Sequence, residues 1–300
     1  MQLLAPIVRA VAGFTPRQRA RRASLAIATS LLLATTFACQ AAPRGSLGLG
    51  AEAEILAQLR QASIVYLGEQ HDRAADHAAQ LAILQALHAT QPRLAIALEM
   101  FQRPFQPALD RYLAGEIDEA ELLEQSEYEQ RWGFPWESYA PLLRFAKANQ
   151  LPVIALNAPT EVTRQIARQG LDSLDATAQA QIPPREELDL SNDRYHRWLR
   201  QALEAHAAHG GLELENFIAA QVVWDETMAA TIADFHQANP EYQILVIAGR
   251  GHIIYGYGIP DRVARRLGSD LVQATVLLNP PADLAPDQGR SPSDFVWQNE

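Results

Sequence analysis

Three side chains that can bind a metal, exchange a proton or donate a hydrogen bond follow one short apolar run. The run is VYLG, and Glu69, His71 and Asp72 come within the four residues after it. Imidazole and carboxyl groups act as general acids and bases, and both are common metal ligands. Gly68 lets the backbone turn sharply at this point. The sequence therefore predicts a cluster of reactive side chains where a buried strand ends.

Further apolar runs end in the same way. The runs LAIALEM, PVIALN and QILVIAG end in or lead into Glu99, Asn157, Arg250 and His252. Ligands of open parallel sheets bind beyond the carboxyl ends of the strands, so we expect these side chains to meet the first cluster at one edge. A single Glu or His at a strand end is more often a helix cap or an exposed loop residue. The repetition favours a functional site, because burying an unpaired polar group costs roughly 2 kcal/mol or more.

The spacing of apolar residues predicts an α/β fold with a mainly parallel, open sheet, helices on both faces and an inserted helical cap. Continuous apolar strands separated by helices are typical of parallel sheets that are covered on both faces. The predicted strands are residues 64–68, 94–100, 152–157, 243–249 and 273–278. Helical patterns cover 76–89, 104–125, 135–149, 194–209 and 214–238. The helices at about 102–150 and 172–211 exceed what crossovers need, which predicts the cap.

The domain limits follow from composition. Residues 51–279 form the predicted α/β domain, and the proline-rich, polar residues 280–300 are predicted to be a disordered tail. Residues 39–50 are mostly small and read as a tether.

The first 38 residues have the pattern of an export signal. They carry five arginines and no acidic residue, and the apolar stretch Ala23–Ala38 is short for a membrane-spanning helix. A retained anchor is the alternative. Cys39 follows directly, and it is either a lipidation site or incidental to an ordinary cleavage site. We therefore expect an exported protein in the periplasm or another extracytoplasmic space, which contacts a membrane surface if Cys39 carries a lipid.

Charge and cysteine content exclude several classes of protein. Without residues 1–38 the chain has 20 Lys and Arg against 35 Asp and Glu, a formal net charge of −15. No basic stripe remains, which disfavours nucleic-acid binding. A single cysteine excludes internal disulfides, cysteine-rich metal sites and haem attachment through two cysteines.

Five segments in chain order resemble the ChaN family of haem-binding lipoproteins. They read GEQHD, ALEMF, ALNAP, QVVWDETMA and AGRGHIIYGYGIP, and the resemblance extends from about residue 63 to residue 278. The ChaN family belongs to a superfamily that also contains the Tiki and TraB metalloprotease-like proteins and the erythromycin esterases. The resemblance implies that Glu69, His71, Glu99 and His252 form the site shared by this superfamily.

The resemblance also implies haem as the cofactor, bound in a pocket made by a homodimer. In that family a tyrosine of one subunit ligates iron, while a histidine and a lysine of the other hold the propionates. Lys147 is the only lysine here. Tyr195 is the best candidate for the iron ligand, and arginines beside it suit propionates. A tyrosine that begins a helix and packs on the domain is the alternative, and Tyr255 and Tyr257 are further candidates.

Three functions remain open from the sequence. The first is a carrier of haem or another tetrapyrrole for haem or iron uptake, with Asn157 and Arg250 among its contacts. The second is a hydrolase, in which His71, His252 and a carboxylate hold Zn²⁺ or another divalent metal, or one histidine acts as a general base. The third is an interaction protein that keeps the pocket without using it. The helical cap contains several tryptophans, which suits a large flat ligand.

Overall fold

A six-stranded parallel sheet forms the centre of the computed structural model, which describes residues 49–204 and 213–299. The sheet order is β3-β2-β4-β1-β5-β6, and every strand pairing is parallel. The strands are β1 (Ile64–Glu69), β2 (Leu94–Gln102), β3 (Val153–Asn157), β4 (Gln243–Gly249), β5 (Gln273–Leu278) and β6 (Phe295–Trp297). The predicted α/β fold is confirmed, because β1 to β5 coincide with the five predicted apolar runs within two residues at each end.

Helices connect the strands and cover both faces. In chain order the α-helices of the described residues are α1 (Leu49–Leu59), α2 (Ala74–His88), α3 (Gln106–Leu113), α4 (Glu119–Gln125), α5 (Tyr128–Arg131), α6 (Ala140–Ala148), α7 (Thr160–Gln169), α8 (Ala176–Gln179), α9 (Asp193–Glu204), α10 (Leu214–Ala238), α11 (Arg250–Ile253) and α12 (Ile259–Leu267). Short 3-10 turns lie at Arg103–Phe105, Trp136–Ser138, Leu171–Ser173, Arg185–Glu187 and Ile254–Gly256. No helix in the described ranges is both long and apolar enough to span a membrane.

Alternate residues of each strand enter two different apolar clusters. Val65 and Leu67 pack with side chains of α2, α3 and α6 on one face of the sheet. Ile64 and Tyr66 pack with α9, α10 and α12 on the other face. Successive side chains of a strand point to opposite faces, so a strand buried on both sides needs a continuous apolar run.

Both segments predicted to form the cap contain helices. Residues 102–150 contain α3 to α6, and residues 172–204 contain α8 and α9. The last part of the second segment, residues 205–211, lies outside the described residues. The export signal also lies outside them, as does the tether up to residue 48, while residues 49 and 50 begin α1.

The prediction of a disordered tail is wrong. Phe295–Trp297 extends the sheet by pairing in parallel with Val276–Leu278, and the Asn279 N–H donates to the Trp297 carbonyl at 2.8 Å. Trp297 is buried in the cluster that contains α2 and α6. A three-residue strand flanked by polar residues gives almost no local signal, so its order comes from this long-range packing.

Candidate functional site

The end of β1 holds a buried carboxylate–imidazole pair. Glu69 Oε1 lies 2.5 Å from His71 Nδ1, and the Tyr139 hydroxyl donates to the same oxygen at 2.7 Å. The Gln80 amide donates to Oε2, and His77 Nε2 lies 3.5 Å from that oxygen. With its Nδ1 held by Glu69, His71 can meet a ligand only through Nε2.

A second carboxylate–imidazole pair lies across the same edge. His252, on the short helix α11 directly after β4, has its Nδ1 2.6 Å from Asp225 Oδ1. The Tyr195 hydroxyl donates to the other oxygen of Asp225. Glu99, near the end of β2, places Oε1 3.4 Å from His252 Nε2 and accepts the Gly249 N–H on Oε2 at 2.6 Å. Residues from β1, β2, α10 and α11 therefore meet in one cluster.

Gly249 is what allows the two pairs to come together. A Cβ at this position would lie 2.7 Å from His71 Nε2 and 3.5 Å from Glu99 Oε2. Carbon and nitrogen do not approach to 2.7 Å without a bond, so only glycine lets the imidazole lie over the end of β4.

The cluster changes the protonation of its members. Burial alone would lower the pKa of His252, but the Glu99 and Asp225 carboxylates outweigh burial and raise it to about 10. Burial opposes ionisation of Glu99, yet His252, His71 and the Gly249 N–H bring its pKa down to about 2. In the other pair, Glu69 outweighs burial and raises the pKa of His71, and His71 in turn helps to lower that of Glu69. At neutral pH His252 is therefore an imidazolium beside the Glu99 carboxylate, an ion pair inside the buried cluster.

Aromatic rings surround both imidazoles. The His71 ring lies 4.8 Å from Trp132 and 5.1 Å from Phe134, measured between ring centroids. The His252 ring lies 5.0 Å from Trp224. Within the described residues, Trp224 Nε1 is buried without a hydrogen-bond partner, while Glu99 Oε1 has only its 3.4 Å ion pair with His252 Nε2. The unpaired Trp224 donor beside the His252 imidazole is a group that a bound ligand would satisfy.

The structure brings four predicted residues together: Glu69, His71, Glu99 and His252. Asn157 supports them indirectly, because its amide donates to the Glu99 carbonyl at 2.8 Å. The structure thus places the central residues in one cluster, as the spacing of the strands predicts.

Arg250 and Tyr195 lie elsewhere than expected. The Arg250 guanidinium turns away from the imidazoles and donates to the Leu278 carbonyl at the end of β5, at 3.3 Å. Tyr195 is fully buried, and burial raises its pKa well above the ordinary value. Its hydroxyl is held by Asp225, so the structure gives Tyr195 the role of orienting the His252 pair rather than an open position for iron.

Sequence reasoning missed the residues that hold Glu69. Tyr139, Gln80 and His77 reach it from α6 and α2, and each looks like an ordinary helix residue in the sequence. Only His77 carries a local signal, as a second histidine six residues after His71.

A metal centre made by protein side chains is not formed in the described part of the chain. No group of three or more His, Cys, Asp or Glu side chains there has the arrangement to hold an ion. The predicted pair of metal ligands, His71 and His252, lies instead in hydrogen bonds to carboxylates through Nδ1.

Known sequences resemble this chain along most of its length. Residues 55–263 match the family described as haem-binding uptake, Tiki superfamily, ChaN. Protein RETICULATA-RELATED 5, chloroplastic, from Arabidopsis thaliana is 28% identical over 256 residues, which are 80% of this chain and 34% of that protein. The chain therefore spans about a third of the length of this curated relative.

Solved structures share the fold. ChaN of Campylobacter jejuni, described with cofacial haem binding, superimposes with a TM-score of 0.62 at 18% identity, covering 81% of this chain and 90% of that one. An erythromycin esterase superimposes with a TM-score of 0.46 at 14% identity, covering 78% and 74%. The second similarity is too low to carry an argument, and the first shows a common fold.

Proposed function

This chain belongs to the ChaN family of haem-binding uptake proteins in the Tiki superfamily, and we propose that it binds haem or a related tetrapyrrole. The binding place is the sheet edge that carries His71, Glu99 and His252. The role we propose is that of a carrier in haem or iron uptake.

One observation carries the proposal: two imidazoles on the same edge are each fixed through Nδ1 by a buried carboxylate. The distances are 2.5 Å for His71 and 2.6 Å for His252. A histidine held in this way presents Nε2 in a fixed direction, and the neighbouring carboxylates raise the pKa of both imidazoles, that of His252 to about 10. Nε2–H groups are suitable donors to the carboxylates of propionate groups.

The aromatic side chains around the two imidazoles suit the flat apolar ring of a tetrapyrrole. The rings of Trp132, Phe134 and Trp224 pack against the two imidazoles and supply flat apolar surface beside them. Aromatic rings of this kind bury large areas and stack on flat ligands. When bound, haem would supply an iron centre for ligand or electron exchange.

The tyrosines of a single chain do not identify a ligand for the haem iron. Six of the eight tyrosines donate their hydroxyl hydrogen bonds within the chain. Tyr255 and Tyr257 are among them, held by the Ala285 carbonyl and by Asp287. Of the other two, Tyr128 is buried against Phe101 and Trp136, and Tyr242 packs on Phe235 directly before β4, at the end of that strand opposite to the site.

A second subunit is part of the proposal. His71 and His252 are only 4% and 6% exposed in the single chain, so a ligand can reach little more than the edge of each imidazole, and most of a haem there would stay uncovered. A homodimer would cover the exposed side of that haem. We also propose that the protein is exported by its N-terminal segment and that a lipid on Cys39 holds it at a membrane.

Haemin titration tests the proposal. The purified full chain should give a saturable change in the Soret band. His252→Gln should weaken haemin binding at least about tenfold, or about 1.4 kcal/mol, because one fixed donor is lost. The matched control is His88→Gln, since His88 ends α2 at the opposite edge of the sheet and packs on Phe145.

A wild-type chain without a saturable Soret change would contradict haem binding. An equal loss of affinity in both variants would contradict the assignment of the site to His252. Stoichiometric zinc or manganese by elemental analysis, together with no haemin binding, would favour the hydrolase instead.

A further inference from the structure

A buried arginine at the carboxyl edge lacks a counter-charge. Arg250 is only 5% exposed, and its Nε is buried without a hydrogen-bond partner among the described residues. Its one hydrogen bond is from Nη2 to the Leu278 carbonyl, at 3.3 Å. In residues 49–204 and 213–299, no carboxylate oxygen lies within 4.0 Å of this guanidinium. A buried charge is stable only when it is paired and hydrogen-bonded, so the Arg250 guanidinium lacks the anionic partner that its burial requires.

A second arginine comes to the same place. Arg73, just before α2, donates from Nη1 to the carbonyl of Asn279. Leu278 and Asn279 are consecutive, and consecutive residues are about 3.8 Å apart along the chain. The two guanidinium groups are therefore gathered at one end of β5. Unlike Arg250, Arg73 is exposed, which gives the place an opening to solvent.

The nearby carboxylate is already occupied by neutral donors. Asp76 accepts the Gln70 N–H on one oxygen at 2.8 Å and the Asn279 amide on the other at 2.7 Å. It influences both arginines electrostatically without forming an ion pair with either of them. Two guanidinium groups thus face a single carboxyl group that forms an ion pair with neither.

We propose that Arg73 and Arg250 form a subsite for an oxyanion, namely a carboxylate or a phosphate group. Guanidinium groups bind both anions through paired N–H donors, and burial strengthens such bonds. The anion would satisfy Arg250 Nε and supply the counter-charge that this guanidinium lacks among the described residues. This subsite is separate from the His71 and His252 cluster and does not depend on haem.

The anion has two chemical sources. One is a free small anion, such as phosphate or a dicarboxylate. The other is a propionate of the tetrapyrrole, and only this second source rests on the proposed function.

Phosphate binding tests the subsite directly. The melting temperature of the full chain is followed against inorganic phosphate and against succinate, with chloride adjusted to constant ionic strength. Wild type should be stabilised in a saturable way by at least one of them. Arg73→Gln should raise the half-saturating concentration at least about tenfold. Arg73 is exposed, so this variant tests the subsite even where Arg250→Gln does not fold.

The matched control is Arg168→Gln, which removes one exposed arginine on α7 and should leave the response to the anion unchanged. An equal response in wild type, Arg73→Gln and Arg168→Gln would overturn the subsite for free anions. A second arm compares haemin with its dimethyl ester, in which the propionates are uncharged. Loss of haemin affinity in Arg73→Gln without loss of ester affinity assigns the anion to the propionates.

The two proposals fail separately. A phosphate response that depends on Arg73 supports the subsite even in a chain that binds no haemin. If the anions and haemin are both unaffected by Arg73→Gln, the subsite is refuted while haem binding stands.

Discussion

Replacing Glu99 with glutamine should lower the pKa of His252 by at least about two pH units. Glu99 Oε1 lies 3.4 Å from His252 Nε2 inside a site where both side chains are buried. Glutamine has nearly the same shape, and its carbonyl oxygen can keep the hydrogen bond that Gly249 donates at 2.6 Å. The substitution therefore removes a charge with little change in packing.

The expected size follows from the distance. Two unit charges 3.4 Å apart interact by roughly 5 kcal/mol at an effective dielectric constant of about 20, which corresponds to about 3.6 pH units. Burial lowers the pKa of His252, and together the Glu99 and Asp225 carboxylates reverse this and move it from 6.5 to about 10. Without Glu99, Asp225 alone opposes burial, so a pKa below about 8 is expected.

The same pair sets a pH dependence of stability. The pKa of His252 is raised on folding, so its contribution is complete below about 6.5 and is lost as the pH rises through about 10. The pKa of Glu99 is lowered on folding, so its contribution is complete above about 4.5 and is lost as the pH falls through about 2. Glu99→Gln should therefore cost most free energy of unfolding between about pH 4.5 and 6.5, and the cost should shrink towards pH 10.

Histidine NMR measures the effect. The Cε1–H signals of the eight histidines are followed against pH, and the His252 signal is identified by its absence in His252→Gln. Glu124→Gln on α4, an exposed position, serves as the matched control and should leave the titration unchanged. A His252 pKa that stays within about half a pH unit of wild type in Glu99→Gln would refute the charge pairing described here.

Three further changes test the buried network and the last strand. Tyr195→Phe should lower the free energy of unfolding in urea by about 1–3 kcal/mol, because one oxygen of Asp225 loses its donor. A loss near zero would show that the Tyr195 hydroxyl does not stabilise the pair of Asp225 and His252. Glu226→Gln should cost about 3–5 kcal/mol in the same assay, since three arginines form ion pairs with this fully buried carboxylate. An unchanged midpoint of unfolding would contradict a stabilising role of these ion pairs. Trp297→Ala should cost about 3–5 kcal/mol, whereas Val296→Thr, at an exposed position of the same strand, should cost little. Equal melting temperatures of these two variants would contradict the packing of β6.

The sheet was predictable because its signal is local. A strand buried on both faces must be apolar at every position, and β4 and β5 have the predicted limits. β6 could not be predicted, because it has three residues and only Trp297 is buried. Its position depends on pairing with β5 and on a core that includes residues more than two hundred positions earlier.

The position of the site was predictable, but the hydrogen-bond partners of its residues were not. The carboxyl edge of a parallel sheet collects whatever follows the strands, which is why His71, Glu99 and His252 could be grouped from sequence. Asp225, the partner of His252, and Tyr139, which holds Glu69, depend on how α10 and α6 pack, and such packing leaves no short-range pattern. Tyr195 shows the difficulty, since its hydroxyl could point outward or inward until α9 is placed against α10.

The separation of Arg250 from His252 follows from the geometry of the strand end. Gly249 faces His71, so the next residue leaves the strand on a different side and reaches β5. The edge consequently carries two regions that can donate to an anion, the imidazole cluster and the pair of Arg73 and Arg250. Haemin has two negative propionates. A haemin that contacts both regions would place one propionate at the imidazoles and the other at the arginines. Haemin affinity should then fall with salt less steeply in Arg73→Gln than in wild type, because one charge contact fewer is screened.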